Sequence, residues 1–208
     1  MKYLYEFIGT FFLVFTIGMV VVGPGAAPAG FAPIAIGTVL AVMIFSGGHV
    51  SGGHYNPAVS LAVFLRGKAT LNDTLIYWVV QIVAGFVAAV LVSYLKSAMA
   101  AATGEALAVP QVNAGAVLIP ALLAEFIFTF ALTYTVLNVA TAKGTSGNSF
   151  YGWAIGMAVM TGAFAVGPIS GGAFNPAVAV GITQMGISGW SNIWIYLVAQ
   201  LVAAAVAA

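Results

Sequence analysis

Ser51-Gly52-Gly53-His54-Tyr55-Asn56-Pro57-Ala58-Val59 and Ser170-Gly171-Gly172-Ala173-Phe174-Asn175-Pro176-Ala177-Val178 are two copies of one pattern, 119 residues apart. Other landmarks keep the same offset: Glu6-Phe7-Ile8 returns as Glu125-Phe126-Ile127, Ile76-Tyr77 as Ile195-Tyr196, Gln81 as Gln200 and Gly37 as Gly156. The chain is therefore read as one unit written twice, with repeats at about 1–100 and 115–208 inside a single domain spanning 1–208. A lone Asn-Pro-Ala is a weak signal. Two of them, each behind Ser-Gly-Gly and each 50 residues after a Glu in an apolar run, are not a chance pattern.

Composition names the solvent. Of 208 residues, 62% are hydrophobic and 4% charged, against about 25% charged in soluble domains. Such a chain cannot cover a water-facing surface, so it is expected in a lipid bilayer. The net charge of +1 argues against a nucleic-acid partner. With no Cys and only His49 and His54, thiolate and histidine-rich metal sites are excluded. There is no nucleophile–base pair and no phosphate loop, so neither an enzyme nor a cofactor is expected. The first apolar run resembles a signal peptide, but its Glu6 segment recurs inside the chain as Glu125, which assigns it to the fold.

A membrane-spanning helix needs about 20 apolar residues. Six stretches qualify: Leu4–Val22, Ala32–Val50, Thr74–Leu95, Val117–Ala140, Tyr151–Gly167 and Asn192–Ala208. The last is short and ends in Ala-Ala, consistent with trimming there. Each Asn-Pro-Ala opens an apolar run too short to span, Pro57–Leu65 and Pro176–Met185. Ten residues make about 15 Å of helix, half of a hydrocarbon core about 30 Å thick. Three spans per repeat is an odd number, so the second copy is inverted and the half-helices enter from opposite sides. The expected fold is an all-α membrane protein with six transmembrane helices, two re-entrant half-helices and an inverted three-helix repeat. An N-terminus inside places Lys2, Arg66, Lys68 and Lys143 in the cytoplasm and only Lys96 outside, which satisfies the positive-inside rule.

Asn-Pro at a helix start has a physical reading. The Asn side-chain oxygen caps the first turn and Pro suits the first helical position. The Asn amide NH₂ is then left as a donor, backed by the positive end of the helix dipole. Asn56 and Asn175 would present donors at mid-membrane to a water or hydroxyl oxygen and disfavour cations. Non-helical backbone is tolerated at that depth only where it lines a cavity or is buried in protein.

The duplicated Ser-Gly-Gly-x-x-Asn-Pro-Ala among six spans resembles the aquaporin and glycerol-facilitator family over essentially the whole chain. The resemblance implies a homotetramer with one pore per subunit and a second, outer constriction. By spacing to Asn56-Pro57-Ala58 and Asn175-Pro176-Ala177, that filter falls on Ile36, Ala163, Gly172 and Val178. Strict water channels and glycerol facilitators usually have Arg at the place of Val178. Strict water channels also usually have His at the place of Ala163 and a bulky aromatic at that of Ile36. The set here is small and apolar, most similar to some plant vacuolar members that carry Asn-Pro-Ala-Val, although those have His where Ile36 stands. It implies a wider filter that admits water and small neutral solutes: ammonia, urea, hydrogen peroxide or glycerol. A strict water channel is the alternative.

Glu6 and Glu125 are ionisable groups in apolar spans. They read as braces for the loops, with Gln81, Gln200 and His54 beside them. The competing reading makes them proton sites of an ion-coupled transporter. A poorly conducting structural protein is a third. His49 near the cytoplasmic end of its span is a candidate pH gate, or a capped or solvated side chain. Gly9, Gly18, Gly37, Gly85 and Gly156 fit close helix packing. Tyr3, Tyr5, Trp78, Trp153, Trp190 and Trp194 fit interfacial anchors. Minimal termini point to a prokaryotic inner membrane. Because the chain has no Cys, thiol-directed mercurials should leave its water flux unchanged in stopped-flow measurements. Block at low reagent concentration would contradict a cysteine-based account of mercurial sensitivity.

Overall fold

The computed structural model describes residues 1–28 and 30–208. It contains α1 (Lys2–Val21), α2 (Ala32–Ser51), α3 (Pro57–Leu65), α4 (Leu71–Thr103), α5 (Leu118–Val136), α6 (Tyr151–Ser170), α7 (Pro176–Gln184) and α8 (Ile193–Ala207). There is no strand among the described residues. Among the described residues, six helices are long and apolar enough to cross a membrane, and α3 and α7 are half-helices of nine residues each. The protein is an integral, multi-pass membrane protein of the expected class. Lipid is the solvent its surface fits: large apolar side chains such as Leu4, Val79, Ile119, Ile127 and Val206 stand more than half exposed along the spans.

Two helices outrun their expected ends. α4 has 33 residues, about 50 Å of helix, so it overshoots a hydrocarbon core of about 30 Å. Its N-terminus is capped by Thr70, whose hydroxyl accepts from Asp73 N–H, and it ends at Gly104 in the left-handed conformation. Starting at Leu71 puts Trp78 two turns inside the helix. Its indole donates to the Pro57 carbonyl at 2.9 Å, so it braces α3. α6 was expected to stop at Gly167, yet it runs through Pro168 to Ser170. A proline removes one helical hydrogen bond. The turn persists because Ser170 is held from outside: its carbonyl accepts from Tyr196 OH at 2.6 Å and its hydroxyl donates to Glu125 at 2.7 Å. α5 closes on a π-helical segment, Leu137–Thr141.

Packing ties the two halves together. α1 lies against α2 and α4, and α5 lies against α6 and α8. The halves meet where α2 crosses α6, and each half-helix also packs on the last long helix of the other half, α3 on α8 and α7 on α4. Small residues set the approach at α2–α6. A Cβ on Gly37 would stand 2.6 Å from the Gly156 carbonyl oxygen, and one on Gly156 would overlap the Gly37 carbonyl. Backbone touches backbone there, the arrangement that glycine permits in membrane helices. Gly156→Leu should therefore force the halves apart. Overpacking of this kind costs about 1–3 kcal/mol, to be read as a lowered unfolding temperature of the purified protein in detergent.

Candidate pore

Both Ser-Gly-Gly segments adopt one backbone shape. Gly52 and Gly53 have φ of 90° and 63°, and Gly171 and Gly172 have 91° and 62°. Two consecutive left-handed residues are a glycine conformation. Tyr55 and Phe174 follow at φ of 48° and 49°, a region that costs a residue with a Cβ about 1–2 kcal/mol. They are held there from both ends. Their rings are buried, and their N–H groups donate to the carboxylates of Glu6 at 2.7 Å and Glu125 at 2.8 Å. A Cβ on Gly9 would overlap the Tyr55 ring, one on Gly47 its hydroxyl, and one on Gly162 the ring of Phe174.

Each glutamate is saturated. Glu6 Oε1 accepts from Ser51 Oγ at 2.6 Å and His54 N–H at 3.0 Å, and Oε2 accepts from Tyr55 N–H and from Gln81 Nε2 at 2.8 Å. Glu125 repeats the set with Ser170, Ala173, Phe174 and Gln200. Both are fully buried, and neither borders the central cavity. Two further partners were not singled out from the sequence. The hydroxyls of Tyr77 and Tyr196 donate to the Ser51 and Ser170 carbonyls, each at 2.6 Å. The recurrence of Ile76-Tyr77 as Ile195-Tyr196 was the available signal.

The half-helices meet end to end. Asn56 Oδ1 accepts from Ala58 N–H at 2.8 Å and Val59 N–H at 3.4 Å, capping α3. Asn175 caps α7 through Ala177 and Val178. The amide nitrogens then cross: Asn56 Nδ2 donates to the Phe174 carbonyl and Asn175 Nδ2 to the Tyr55 carbonyl, both at 2.9 Å. One of the two N–H groups on each amide is thus spent on the opposite loop, and one remains. Both asparagines border a central cavity of about 70 Å³. At ~10–15 Å³ per water on this measure, it has room for a short file of water molecules.

The wall of this cavity is aliphatic and follows the repeat. Leu13 and Leu132, Ile36 and Ile155, and Val59 and Val178 line it as pairs offset by 119 residues. Ile36, Ala163, Gly172 and Val178 all border the same cavity. Polar relief comes from the loops that carry Gly53, His54, Tyr55, Gly171, Gly172 and Ala173. His54 breaks the symmetry, since Ala173 stands at its equivalent place. Its Nδ1 lies 3.0 Å from Ser60 Oγ, which also receives Gln81 Nε2 at 3.1 Å. His49 borders a second cavity, at the end of the molecule that carries Lys68 and Lys143. No group of three or more metal-ligating side chains occurs among the described residues.

A crossed pair of capped half-helices inside six spans is a specific architecture, and the whole sequence, residues 1–208, matches the model of the major intrinsic proteins. The chain belongs to the major intrinsic protein family. Aquaporin TIP2-3 of Arabidopsis thaliana is 36% identical over 217 residues, covering 99% of this chain and 83% of that protein. Aquaporin TIP1-2 of Zea mays is 37% identical over 191 residues, covering 89% and 72%. The X-ray structure of the aquaglyceroporin from Plasmodium falciparum superposes with a TM-score of 0.82 at 21% identity, covering 99% of this chain and 92% of that one. That likeness establishes the fold. These family members from plants do not favour the prokaryotic membrane expected from the termini.

The crossed amides carry a test. Asn175→Ala removes the cap of α7, worth about 1 kcal/mol, and leaves the Tyr55 carbonyl without its donor, worth about 1–3 kcal/mol where no water replaces it. Asn56→Ala should cost a similar amount by symmetry. Denaturant unfolding of the two variants in detergent measures both, and a loss confined to one would break the equivalence of the two halves.

Proposed function

We propose that the protein is a passive transmembrane channel for water and small neutral solutes, with Asn56 and Asn175 orienting the permeant at the midplane. The observation that carries this reading is the small central cavity bordered by both asparagines and walled by aliphatic side chains and the two re-entrant loops. A permeating oxygen accepts from the remaining amide N–H groups. The positive ends of α3 and α7 face the same point, each worth roughly half an elementary charge, and that field disfavours cations. Between such points an apolar wall offers no competing partner, so the permeant moves without being trapped.

Ile36, Ala163, Gly172 and Val178 form the outer filter in this reading. None of them carries a charge or a side-chain donor, so a solute is selected there by size and by bonds to loop carbonyls. Ammonia, urea, hydrogen peroxide and glycerol are the candidate solutes beside water. Glu6 and Glu125 act as loop braces: their oxygens are occupied by protein donors and stand away from the cavity, which supports bracing over a proton-coupled transport role. The N-terminus is placed in the cytoplasm by the positive-inside rule, and four copies are expected to assemble, each with its own pore. The aquaporin names of the relatives accord with a channel.

The test is stopped-flow light scattering on proteoliposomes, comparing shrinkage in an impermeant osmolyte with re-swelling in glycerol, urea or an ammonium gradient. Val178→Arg should lower the solute-to-water permeability ratio by roughly tenfold, the effect of ~1.4 kcal/mol added to the solute barrier. An unchanged ratio would mean the filter is elsewhere. Fast water with no solute flux in the native chain would make it a strict water channel.

A further inference from the structure

The two mouths of the pore are built on equivalent positions, yet their chemistry differs. At the mouth near the end of α7, Ile187 is buried, and its carbonyl accepts from Val112 N–H at 2.8 Å. Its equivalent at the other mouth, 119 residues earlier, is Lys68. The backbones match: Ile187 N–H donates to the Ile182 carbonyl at 2.9 Å, and Lys68 N–H to the Val63 carbonyl at 3.0 Å. The same offset relates Pro168 to His49 and Lys143 to Pro24. Elsewhere the repeat keeps its glutamates, glutamines, asparagines and aliphatic wall, so these basic groups are not demanded by the fold.

They converge on one space. His49, Lys68 and Lys143 border a cavity of about 730 Å³, and no carboxylate is among the residues that line it. Lys68 also borders two adjoining cavities of about 320 and 200 Å³, both shared with His54, and His54 lines the central passage. A half-buried carboxylate, Asp73, lines the smallest of these cavities with Lys68, but it is engaged by Lys2 at 2.7 Å and by Tyr3 OH at 2.9 Å. Among the described residues, neither Lys68 nor Lys143 has an ion-pair partner. Topology accounts for how many basic residues lie on this side of a membrane, but not for their lining one cavity. Arg66, two residues from Lys68, lines none of the three cavities. A concave site with one sign of charge and low-dielectric walls concentrates counter-ions, and lysine ammonium groups suit phosphate oxygens.

We propose that the vestibule bounded by His49, Lys68 and Lys143 binds a phosphate dianion or phosphate monoester, and that its occupant restricts the entrance to the pore. The volume admits an ion of that size with its water, and the two lysines supply the compensating charge. Free phosphate and a lipid phosphate headgroup share this chemistry. The regulatory half of the proposal rests on the channel reading given above, and the binding half does not.

Binding is tested on the detergent-solubilised protein with inorganic phosphate by ³¹P NMR line broadening, at constant ionic strength set with chloride. Saturable broadening that disappears in Lys68→Ala/Lys143→Ala and survives in Arg66→Ala supports the site. Broadening that is absent, or equally reduced in Arg66→Ala, overturns it in favour of diffuse surface charge. Flux is tested in phosphatidylcholine proteoliposomes with phosphate on both faces, as the ratio of water permeability with and without it, so that changes in basal flux divide out. The native chain should lose about two-fold or more of its permeability at saturation, and the double variant should lose none. Inhibition seen only with phosphatidic acid in the bilayer, and lost in the double variant, assigns the headgroup as the source. Phosphate binding without any effect on a measurable water flux overturns the restriction. Absence of water flux in phosphate-free vesicles counts against the channel reading and leaves the binding result standing.

Discussion

Non-helical backbone at the centre of a membrane protein must find its hydrogen-bond partners within protein or in a cavity it lines. Each re-entrant loop meets that constraint through one buried carboxylate. Glu6 and Glu125 take the N–H groups of His54 and Tyr55, and of Ala173 and Phe174, together with a serine hydroxyl and a glutamine amide. Without that acceptor the left-handed Tyr55 and Phe174 would lose what holds them, and the asparagines that follow would lose their place. An unsatisfied backbone group in such surroundings costs several kcal/mol, so the carboxylates set where the half-helices begin.

The asparagines then do two jobs with one side chain. The oxygen caps its own helix while the nitrogen bonds to the other loop, so each half terminates the other. This reciprocity gives the two-fold arrangement a physical content beyond sequence repetition: neither loop is complete alone. The glycine contacts between α2 and α6 act in the same direction, because they bring the halves close enough for the amides to cross.

Symmetry makes its exceptions informative. Tyr55 sends its hydroxyl to the Met43 carbonyl at 3.0 Å, whereas Phe174 has none to send and packs on Phe128 instead. His54 reaches Ser60, whereas the equivalent pair is Ala173 and Ala179. Lys68 stands where Ile187 closes the opposite mouth. These differences gather on the side of the N-terminus, so the two entrances present different chemistry to whatever enters.

Much of this was legible in one dimension. The offset of 119 residues located both loops, their glutamates and their glutamines, because an inverted repeat must place equivalent residues in equivalent surroundings. Hydropathy set the six spans, since lipid demands unbroken apolar helix, and Asn-Pro marked the half-helix starts through capping chemistry. What the sequence could not carry was the partner of each group across the fold. That the asparagine amides donate to the facing loops, that Tyr77 and Tyr196 clamp the serine carbonyls, that α6 survives Pro168, and that three basic residues far apart in the chain share one cavity were decided by tertiary structure. The physical reason is that periodicity and propensity are local, whereas a hydrogen bond between residues 118 or 120 positions apart exists only once packing has closed the distance.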